Sequence, residues 1–239
     1  MNDTTGLSPT PRTSIRRGKT RAVTERERLH AFLADALLAH VGVIAGAGDD
    51  TYPLVLPTAF GVDLAGPDDG GTLYLHGSVA AGWFKLAIGR DVCVTITELD
   101  GLVAARSAFH HSMNYRSAVI IGRARHVEEP DEREHALSLV VDHMIPGRWA
   151  TLRPSTRKEL AATAVLALPL AEASMKQRAT GPDDEPADIE AGTWGGHIPL
   201  YRVAGDPISS ADSHDTVPVD VLRCAARFAR LPEPDHPSA

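Results

Sequence analysis

The polar residues best suited to chemistry are concentrated at positions 107–125, where the chain reads SAFHHSMNYRSAVIIGRAR. Two imidazoles, an amide, several hydroxyls and an arginine run directly into an apolar stretch typical of a β-strand. A side chain at the end of a strand is held more rigidly than one on a loose loop. We therefore expect a ligand to bind at this junction.

This cluster supplies the atoms that recognise a polar heteroaromatic ring. Hydroxyl, amide and phenol groups donate and accept hydrogen bonds, and a guanidinium can neutralise a phosphate. The candidate binding residues here are Ser107, Asn114, Tyr115, Arg116 and Ser117. The alternative interpretation of the same residues is the solvent-exposed end of a polar hairpin.

The second candidate motif is His76-Gly77-Ser78, which follows a short apolar run. The apolar spacing after it predicts a helix over residues 78–88, with Lys85 on the opposite face. Free amide groups at a helix N-terminus favour an anion, so the motif predicts a phosphate site. A serine N-cap with no ligand is the alternative interpretation.

A hydroxyl-bearing strand face is predicted between these two motifs. Residues 91–97 alternate between apolar and polar positions, which places Thr95 and Thr97 on one side. The Leu-Asp-Gly sequence that follows predicts a tight turn, with a returning strand over residues 101–106. A longer strand is predicted over residues 116–127.

The order of elements predicts a mainly β protein. Six or more short strands and only two or three helices do not alternate as they do in a parallel βαβ sheet, so we expect an antiparallel β-barrel with flanking helices. The barrel domain is predicted at residues 24–205. A disordered basic arm over 1–23 precedes it, and an extension over 206–239 follows, with a short helix and a proline-rich tail.

Charge and composition argue against several functional classes. A formal charge of −7 gives no general attraction to a polyanion, so we expect no nucleic acid partner. Cys93 and Cys224 are the two cysteines, and their unlike contexts argue against a disulfide framework and indicate a reducing, cytoplasmic compartment. No apolar run approaches the length that crosses a bilayer, so no membrane association is expected.

Histidines and lysines outside the first cluster allow two further interpretations. His76, His110 and His111 suggest a metal, but adjacent strand residues point to opposite faces and no HExxH motif is present. We therefore predict no metal site. Lys176 and Arg178 lie on one side of an extended segment and could hold an anion, although solvated strand charges are the alternative.

Several motifs occur in an order that resembles a known family. The segments YPLVLPTAFGVD, LYLHGS, VCVTIT, NYRSAVIIGRARHVEEP, SMKQR and WGGHIPL follow one another between positions 24 and 201. This order is similar to that of the flavin-binding split barrels related to pyridoxamine 5′-phosphate oxidase, especially the branch with the 5-nitroimidazole resistance reductases. The resemblance implies a homodimer of six-stranded split barrels, with FMN in the cleft between subunits.

The resemblance also implies residue roles. It makes His76 the catalytic residue beside the flavin, acting on an unidentified small-molecule substrate. The positions that match flavin-contacting segments of the family are Gly77, Ser78, Thr95, Thr97, Arg116, Ser117 and Lys176. The sequence therefore predicts an FMN-dependent oxidoreductase.

Two departures from the family narrow this expectation. The oxidases carry an Arg-Lys pair after the phosphate loop, where this chain has Val79, Ala80 and Ala81, so backbone groups, Lys85 or a more distant cation must hold the phosphate. The arginine-rich C-terminal element that recognises the B6 phosphate is lacking, which argues against vitamin B6 oxidation. The alternatives left open are a non-catalytic flavin carrier or sensor, and a split barrel that binds haem or a deazaflavin.

Overall fold

The computed structural model describes Leu7 and residues 10–228, in which the strands form two antiparallel sheets. The strands are β1 (Ala22–Val23), β2 (Ala39–Ala45), β3 (Tyr52–Thr58), β4 (Phe60–Asp63), β5 (Thr72–Ser78), β6 (Asp91–Ala104), β7 (Ser112–Arg123), β8 (Arg125–His126), β9 (Thr163–Pro169), β10 (Ala173–Arg178) and β11 (Gly196–Pro199). The larger sheet has the order β1-β10-β7-β6-β2-β3, with β11 also paired to β6, and the smaller has the order β4-β5-β9-β8. The predicted mainly β, antiparallel class is confirmed. The described residues form eleven strands, more than the six that the family resemblance implies. Two of these strands, β1 and β8, are only two residues long, and the consecutive strands β3 and β4 belong to different sheets.

Six helices accompany the sheets in the described residues. They are α1 (Arg26–Asp35), α2 (Gly82–Ala87), α3 (Pro130–Met144), α4 (Arg157–Ala162), α5 (Pro186–Glu190) and α6 (Val219–Arg227). None of the helices in this part of the chain is both long enough and apolar enough to cross a bilayer.

The main hydrophobic core lies between the inward faces of the two sheets. Alternate residues of each strand point inward, so Ile96 from β6 and Leu75 from β5 are fully buried in one cluster. Phe32 and Leu33 of α1 belong to the same cluster. Each such side chain contributes about 1.5–3 kcal/mol by leaving water, which fixes the two sheets against each other.

The other face of the small sheet is covered by α3. Tyr74 and Val165 of that sheet are fully buried in a second cluster with Ala136 of the helix. Gly61 allows the close approach, because a Cβ at that position would lie 2.8 Å from the backbone nitrogen of Val140. Both faces of the small sheet are therefore packed.

The strand β6 runs straight through the predicted Leu-Asp-Gly turn, so the prediction of a returning strand over residues 101–106 was wrong. The two halves of β6 have different partners on one side: Cys93–Ile96 register against β2, and Gly101–Ala104 against β11. In the pairing of β6 with β7, the Leu-Asp-Gly segment forms a β-bulge between Leu99 and Gly101. Pairing with a distant segment thus outweighs the local turn signal.

The predicted helix over residues 78–88 is shorter than expected and begins only at Gly82. His76, Gly77 and Ser78 instead form the last residues of β5, where they pair in register with residues 163–165 of β9. The Val79 N–H then donates to the carbonyl of Ala162. The backbone groups that were expected to be free at a helix N-terminus therefore form hydrogen bonds between strands instead.

Part of the segment expected to be a disordered arm, residues 10–23, lies against the large sheet in the structure. Its strand β1 pairs with β10, and the Arg12 guanidinium forms ion pairs with Asp91 and Glu172. These carboxylates are remote in sequence, so composition alone does not reveal them. Residues 1–6, 8 and 9 of the arm, and the proline-rich tail from 229 onward, lie outside the described residues.

Candidate functional site

The outer face of the large sheet carries a row of polar side chains across three strands. Thr97 on β6 registers against Ser117 on β7, which registers against Lys176 on β10. The Oγ1 of Thr97 and the Oγ of Ser117 are 3.1 Å apart. Thr95 precedes them on the same face of β6, because alternate residues point the same way. The predicted hydroxyl-bearing strand face therefore exists, and it adjoins a lysine.

A cavity of about 390 Å³ lies where the arm crosses this face. We call it the arm cavity. Its walls are Arg12, Thr13, Ser14, Ile15 and Arg16 from the arm, Tyr115, Ser117 and Val119 from β7, and Ser174 and Lys176 from β10. The volume is in the range of small-molecule sites.

Of the cationic side chains around the arm cavity, some are paired with carboxylates of the described chain and others are not. Arg12 forms ion pairs with two carboxylates, as described above, and its Nε donates to Glu172 over 3.0 Å. The ammonium of Lys176 donates to the carbonyl of Arg17 over 2.9 Å, which leaves its positive charge without a counter-ion there. Arg16 is exposed and has no carboxylate partner within the described part of the chain. The cavity therefore has a net attraction for an anionic group.

Arg116 lies on the opposite face of β7 from Ser117 and cannot share a ligand with it inside one subunit. Its guanidinium donates to both oxygens of Asp100, over 2.9 and 3.1 Å, and to Asp35 over 2.9 Å. Hydrogen bonding to Asp100, with a smaller contribution from Asp35, raises the pKa of Arg116. The guanidinium also lies 5.4 Å from the ring centroid of Phe32. Its predicted partner, a ligand phosphate, is thus replaced by two carboxylates.

Asn114 is buried, and its amide oxygen holds a loop. The oxygen accepts 2.7 Å from Nη1 of Arg178 and 3.2 Å from the backbone N–H of Thr180. The other guanidinium nitrogen of Arg178 donates to the carbonyl of Gly181. Asn114 and Arg178 therefore position the segment after β10, and Asn114 is absent from the lining of the arm cavity.

His76 lies on the small sheet, on the strand face that also carries Tyr74. Its Nδ1 is buried and has no hydrogen-bond partner among the residues that the structure describes, and burial lowers the pKa of the imidazole. His76 is absent from the lining of the arm cavity. No group of three or more His, Cys, Asp or Glu side chains in the described residues is arranged to hold a metal ion.

The remaining predicted binding residues are dispersed. A Cβ on Gly77 would lie 2.6 Å from the Phe84 ring, and the Ser78 hydroxyl accepts from the N–H of Ala80. Lys85 is exposed on α2. Ser107 lies between β6 and β7, where its carbonyl accepts from His111. Its buried hydroxyl has no partner within residues 10–228 or at Leu7.

The structure thus brings together Thr95, Thr97, Tyr115, Ser117 and Lys176 from the predicted set. Sequence reasoning missed the arm residues and Ser174 as parts of the same site. The available signal was the run of basic residues at 12–21. What the sequence lacks is the information that this run crosses the sheet.

The fold and the arm cavity define a β-barrel protein that can hold a flat, polar ligand with an anionic group against a sheet face. Hydroxyls on three strands are the kind of group that hydrogen-bonds to ring heteroatoms, and the lysine and arginine side chains are the kind that binds an anion. The sheet supplies rigidity, and the arm supplies the other wall.

Comparison with known proteins identifies the family. A family described as pyridoxamine 5′-phosphate oxidase matches residues 25–177. The flavocytochrome Anf3 from Azotobacter vinelandii is 36% identical, with a TM-score of 0.81 over 90% of this chain and 97% of that one. A FAD and heme binding protein from Mycobacterium smegmatis is 37% identical, with a TM-score of 0.77 over 85% of this chain and 97% of that one.

A third structure shares the fold alone. It is a candidate 5-nitroimidazole antibiotic resistance protein from Bacteroides thetaiotaomicron, 22% identical, with a TM-score of 0.51 over 65% of this chain and 85% of that one. A comparison with curated proteins gives no match. The chain belongs to the pyridoxamine 5′-phosphate oxidase family, and the resemblance deduced from the order of its motifs is confirmed.

Proposed function

We propose that this protein is an FMN-binding oxidoreductase that holds the flavin against the hydroxyl face of the large sheet. The observation that carries the proposal is the arm cavity, where the hydroxyls of Ser117 and Ser174 lie beside the ammonium of Lys176. These groups fit a flavin, since its ring edge needs hydrogen-bond partners and its phosphate needs a cation. When bound, the flavin supplies the redox chemistry, and the protein supplies position and electrostatics.

The chain's own residues have separable roles in this proposal. Thr97 and Ser117 share a hydroxyl–hydroxyl contact, which fixes the direction in which each presents its remaining lone pair or proton to the ring edge. Lys176 and Arg16 attract the phosphate. The apolar side chains of Ile15 and Val119 exclude water from the space between the arm and the sheet.

A second copy of the chain is the proposed partner. The hydroxyl face continues across β2 and β3 into an exposed, largely apolar surface, on which Ile44 is 53% and Val55 is 60% exposed. Exposed apolar patches of this kind indicate an interface. Pairing of two copies through this face would bring residues of the second subunit next to the flavin.

The test is the absorption and mass spectrum of the ligand released from freshly purified protein. We expect flavin bands and the mass of FMN, while the mass of FAD would correct the cofactor. The double variant Thr97→Val, Ser117→Ala should bind FMN about tenfold more weakly or worse, since each lost hydrogen bond contributes about 1 kcal/mol. Ser138→Ala, on α3, is the matched control. Colourless protein that takes up no flavin on reconstitution contradicts the proposal.

Catalysis is tested separately from binding. Rapid mixing of the flavin-loaded protein with NADH or NADPH under anaerobic conditions should bleach the flavin absorption. A flavin carrier or sensor would remain oxidised with both donors. This outcome would be consistent with flavin binding and would contradict the proposed oxidoreductase activity.

A second candidate function is that of a flavocytochrome, which carries haem as well as flavin. The observation that favours it is the buried Nδ1 of His76, which has no partner in the structure. A neutral imidazole nitrogen is the usual protein ligand of haem iron, and the porphyrin supplies four further ligands. Two relatives that are 36% and 37% identical to this chain are a flavocytochrome and a FAD and heme binding protein.

The haem candidate predicts a Soret band in protein that has been supplied with haem. His76→Ala should remove the band or shift it. The control is His111→Ala, because the Nδ1 of His111 already lies 2.8 Å from the carbonyl of Ser107 and its side chain is exposed. A Soret band that is equally strong in the wild type and in His76→Ala contradicts the assignment of His76.

A further inference from the structure

The arm is fastened to the large sheet on both sides of the arm cavity. Before the cavity residues, Thr10 and Arg12 contact Glu172, which lies just ahead of β10. After them, the carbonyl of Arg17 accepts from Lys176, and β1 pairs with β10. The four residues between these attachments, 13–16, therefore span the cavity as a strap.

Arg12, which directly precedes this strap, and Arg16, its last residue, have different surroundings. Arg12 is neutralised by Asp91 and Glu172, so its charge serves to anchor the strap. Arg16 lines the same cavity, is exposed, and has no carboxylate partner among the described residues. Lys176, the other cation in the lining, donates to a neutral carbonyl. Two uncompensated cations thus border one small cavity.

We infer that Arg16 of the strap and Lys176 of the sheet together bind the phosphate of the flavin, so that the strap makes the site selective for phosphorylated flavins over riboflavin. This inference rests on the proposed function. Its physical reason is that a phosphate supplies the counter-ion that the structure lacks at this position, through charge-assisted hydrogen bonds to a guanidinium.

The test compares the affinities of FMN and riboflavin for flavin-free protein, by quenching of flavin fluorescence. Arg16→Gln should weaken FMN binding about 10- to 100-fold, as expected for the loss of one charged hydrogen bond, and should leave riboflavin affinity unchanged. The control is Arg17→Gln, which removes a neighbouring arginine side chain that is absent from the cavity lining and retains the carbonyl that Lys176 uses. It should bind both flavins like the wild type.

A second measurement needs no variant. Trypsin cleaves after Arg16 and Arg17, so bound FMN should slow cleavage of the wild-type strap, and riboflavin at saturation should slow it much less. Equal protection by both flavins overturns the inference.

The outcomes separate the inference from the proposed function. If the wild type binds FMN and Arg16→Gln binds it equally well, or loses FMN and riboflavin affinity to the same extent, the strap has no phosphate role although the protein binds flavin. If the wild type binds neither flavin, the proposed function fails and the inference fails with it.

Discussion

A single buried amide positions the loop that follows β10. Asn114 is 6% exposed and Arg178 is 5% exposed, and the arginine has only neutral oxygen partners. A buried guanidinium needs each of these partners, because an unmade hydrogen bond leaves its charge desolvated. Burial lowers the pKa of Arg178 for the same reason.

Replacing this amide should destabilise the protein. Asn114→Ala removes the acceptor used by Arg178 and by the N–H of Thr180, and we expect a loss of about 1–3 kcal/mol in the free energy of unfolding. Urea denaturation measures it. Met113→Ala, on the same strand but 51% exposed, should change that free energy by less than about 0.5 kcal/mol. Similar losses for the two variants would show that the amide has no special role.

Three half-buried histidines predict a dependence of stability on pH. Burial lowers the pKa values of His30, His76 and His143 in the folded protein. Below the ordinary histidine pKa near 6.5, the unfolded chain therefore binds protons that the folded chain does not. Stability is then complete above this pH and is lost as the pH falls through 6.5 toward the lowered folded values.

Urea denaturation from pH 8 to pH 5 tests this dependence. We expect the free energy of unfolding to decrease below pH 6.5, and to decrease less in His143→Gln, whose amide can still donate to the carbonyl of Ala36. A free energy that is constant or rises as the pH is lowered would contradict the assignment.

Side-chain roles were the part of the site that sequence predicted least well. Ser117 and Lys176, both implied by the family resemblance, register against each other on one face of the large sheet. Arg116 was predicted to bind the same ligand as Ser117, yet adjacent strand residues face opposite ways. Its actual partners, Asp35 and Asp100, are set by tertiary packing.

At the scale of elements, the contact between α3 and the small sheet depends on one missing side chain. Gly61→Ala would place its Cβ 2.8 Å from the nitrogen of Val140 and 2.9 Å from the carbonyl carbon of Leu139. Because these are backbone atoms, α3 must move as a whole, and we expect a loss of about 1–3 kcal/mol. The control is Gly82→Ala, at the start of α2, where nothing lies within 4 Å of an added Cβ.

Thermal or urea unfolding distinguishes the two glycines. Gly82→Ala should be neutral or stabilise by up to about 1 kcal/mol, because alanine favours a helix. If Gly61→Ala proves as stable as wild type, the helix does not rest on the sheet as described.

Long elements with a strong periodic pattern were predicted well, and their boundaries were not. The alternating segment 91–97 lies in β6, and the long run expected as a strand over residues 116–127 lies in β7 and β8. The turn expected at Leu-Asp-Gly was wrong, because a second partner, β11, pairs beyond it. Local signals contain no information about such a remote partner.

At the scale of the whole molecule, the proposed association of two copies of the chain depends on one sheet face. Val55, 60% exposed, lies on the apolar part of this face, opposite Gly42 in register. Val55→Lys should convert the proposed dimer to a monomer, because a charge would be buried there without a partner. Ile208→Lys, at a residue that is 96% exposed outside any strand or helix, should remain dimeric.

Sedimentation velocity at micromolar concentration measures the effect. A wild-type protein that is monomeric, or a Val55→Lys variant that remains dimeric, contradicts the proposed interface. The family and the barrel class could be predicted from the sequence, because they depend on the order of several motifs and not on the exact bounds of any one element. The arm's position was not, because it depends on ion pairs between residues far apart in the chain.

The shared edge of β6 has a consequence for biosynthesis. Gly101–Ala104 acquires its neighbour on that side only from Gly196–Pro199, which leaves the ribosome long after the hairpin of β6 and β7. Until then, this edge of β6 in a nascent chain has backbone amides and carbonyls without hydrogen-bond partners. An unpaired strand edge of this kind can form incorrect β-pairs with neighbouring nascent chains. Stalled translation products that stop short of residue 196 should therefore be the species most in need of chaperones.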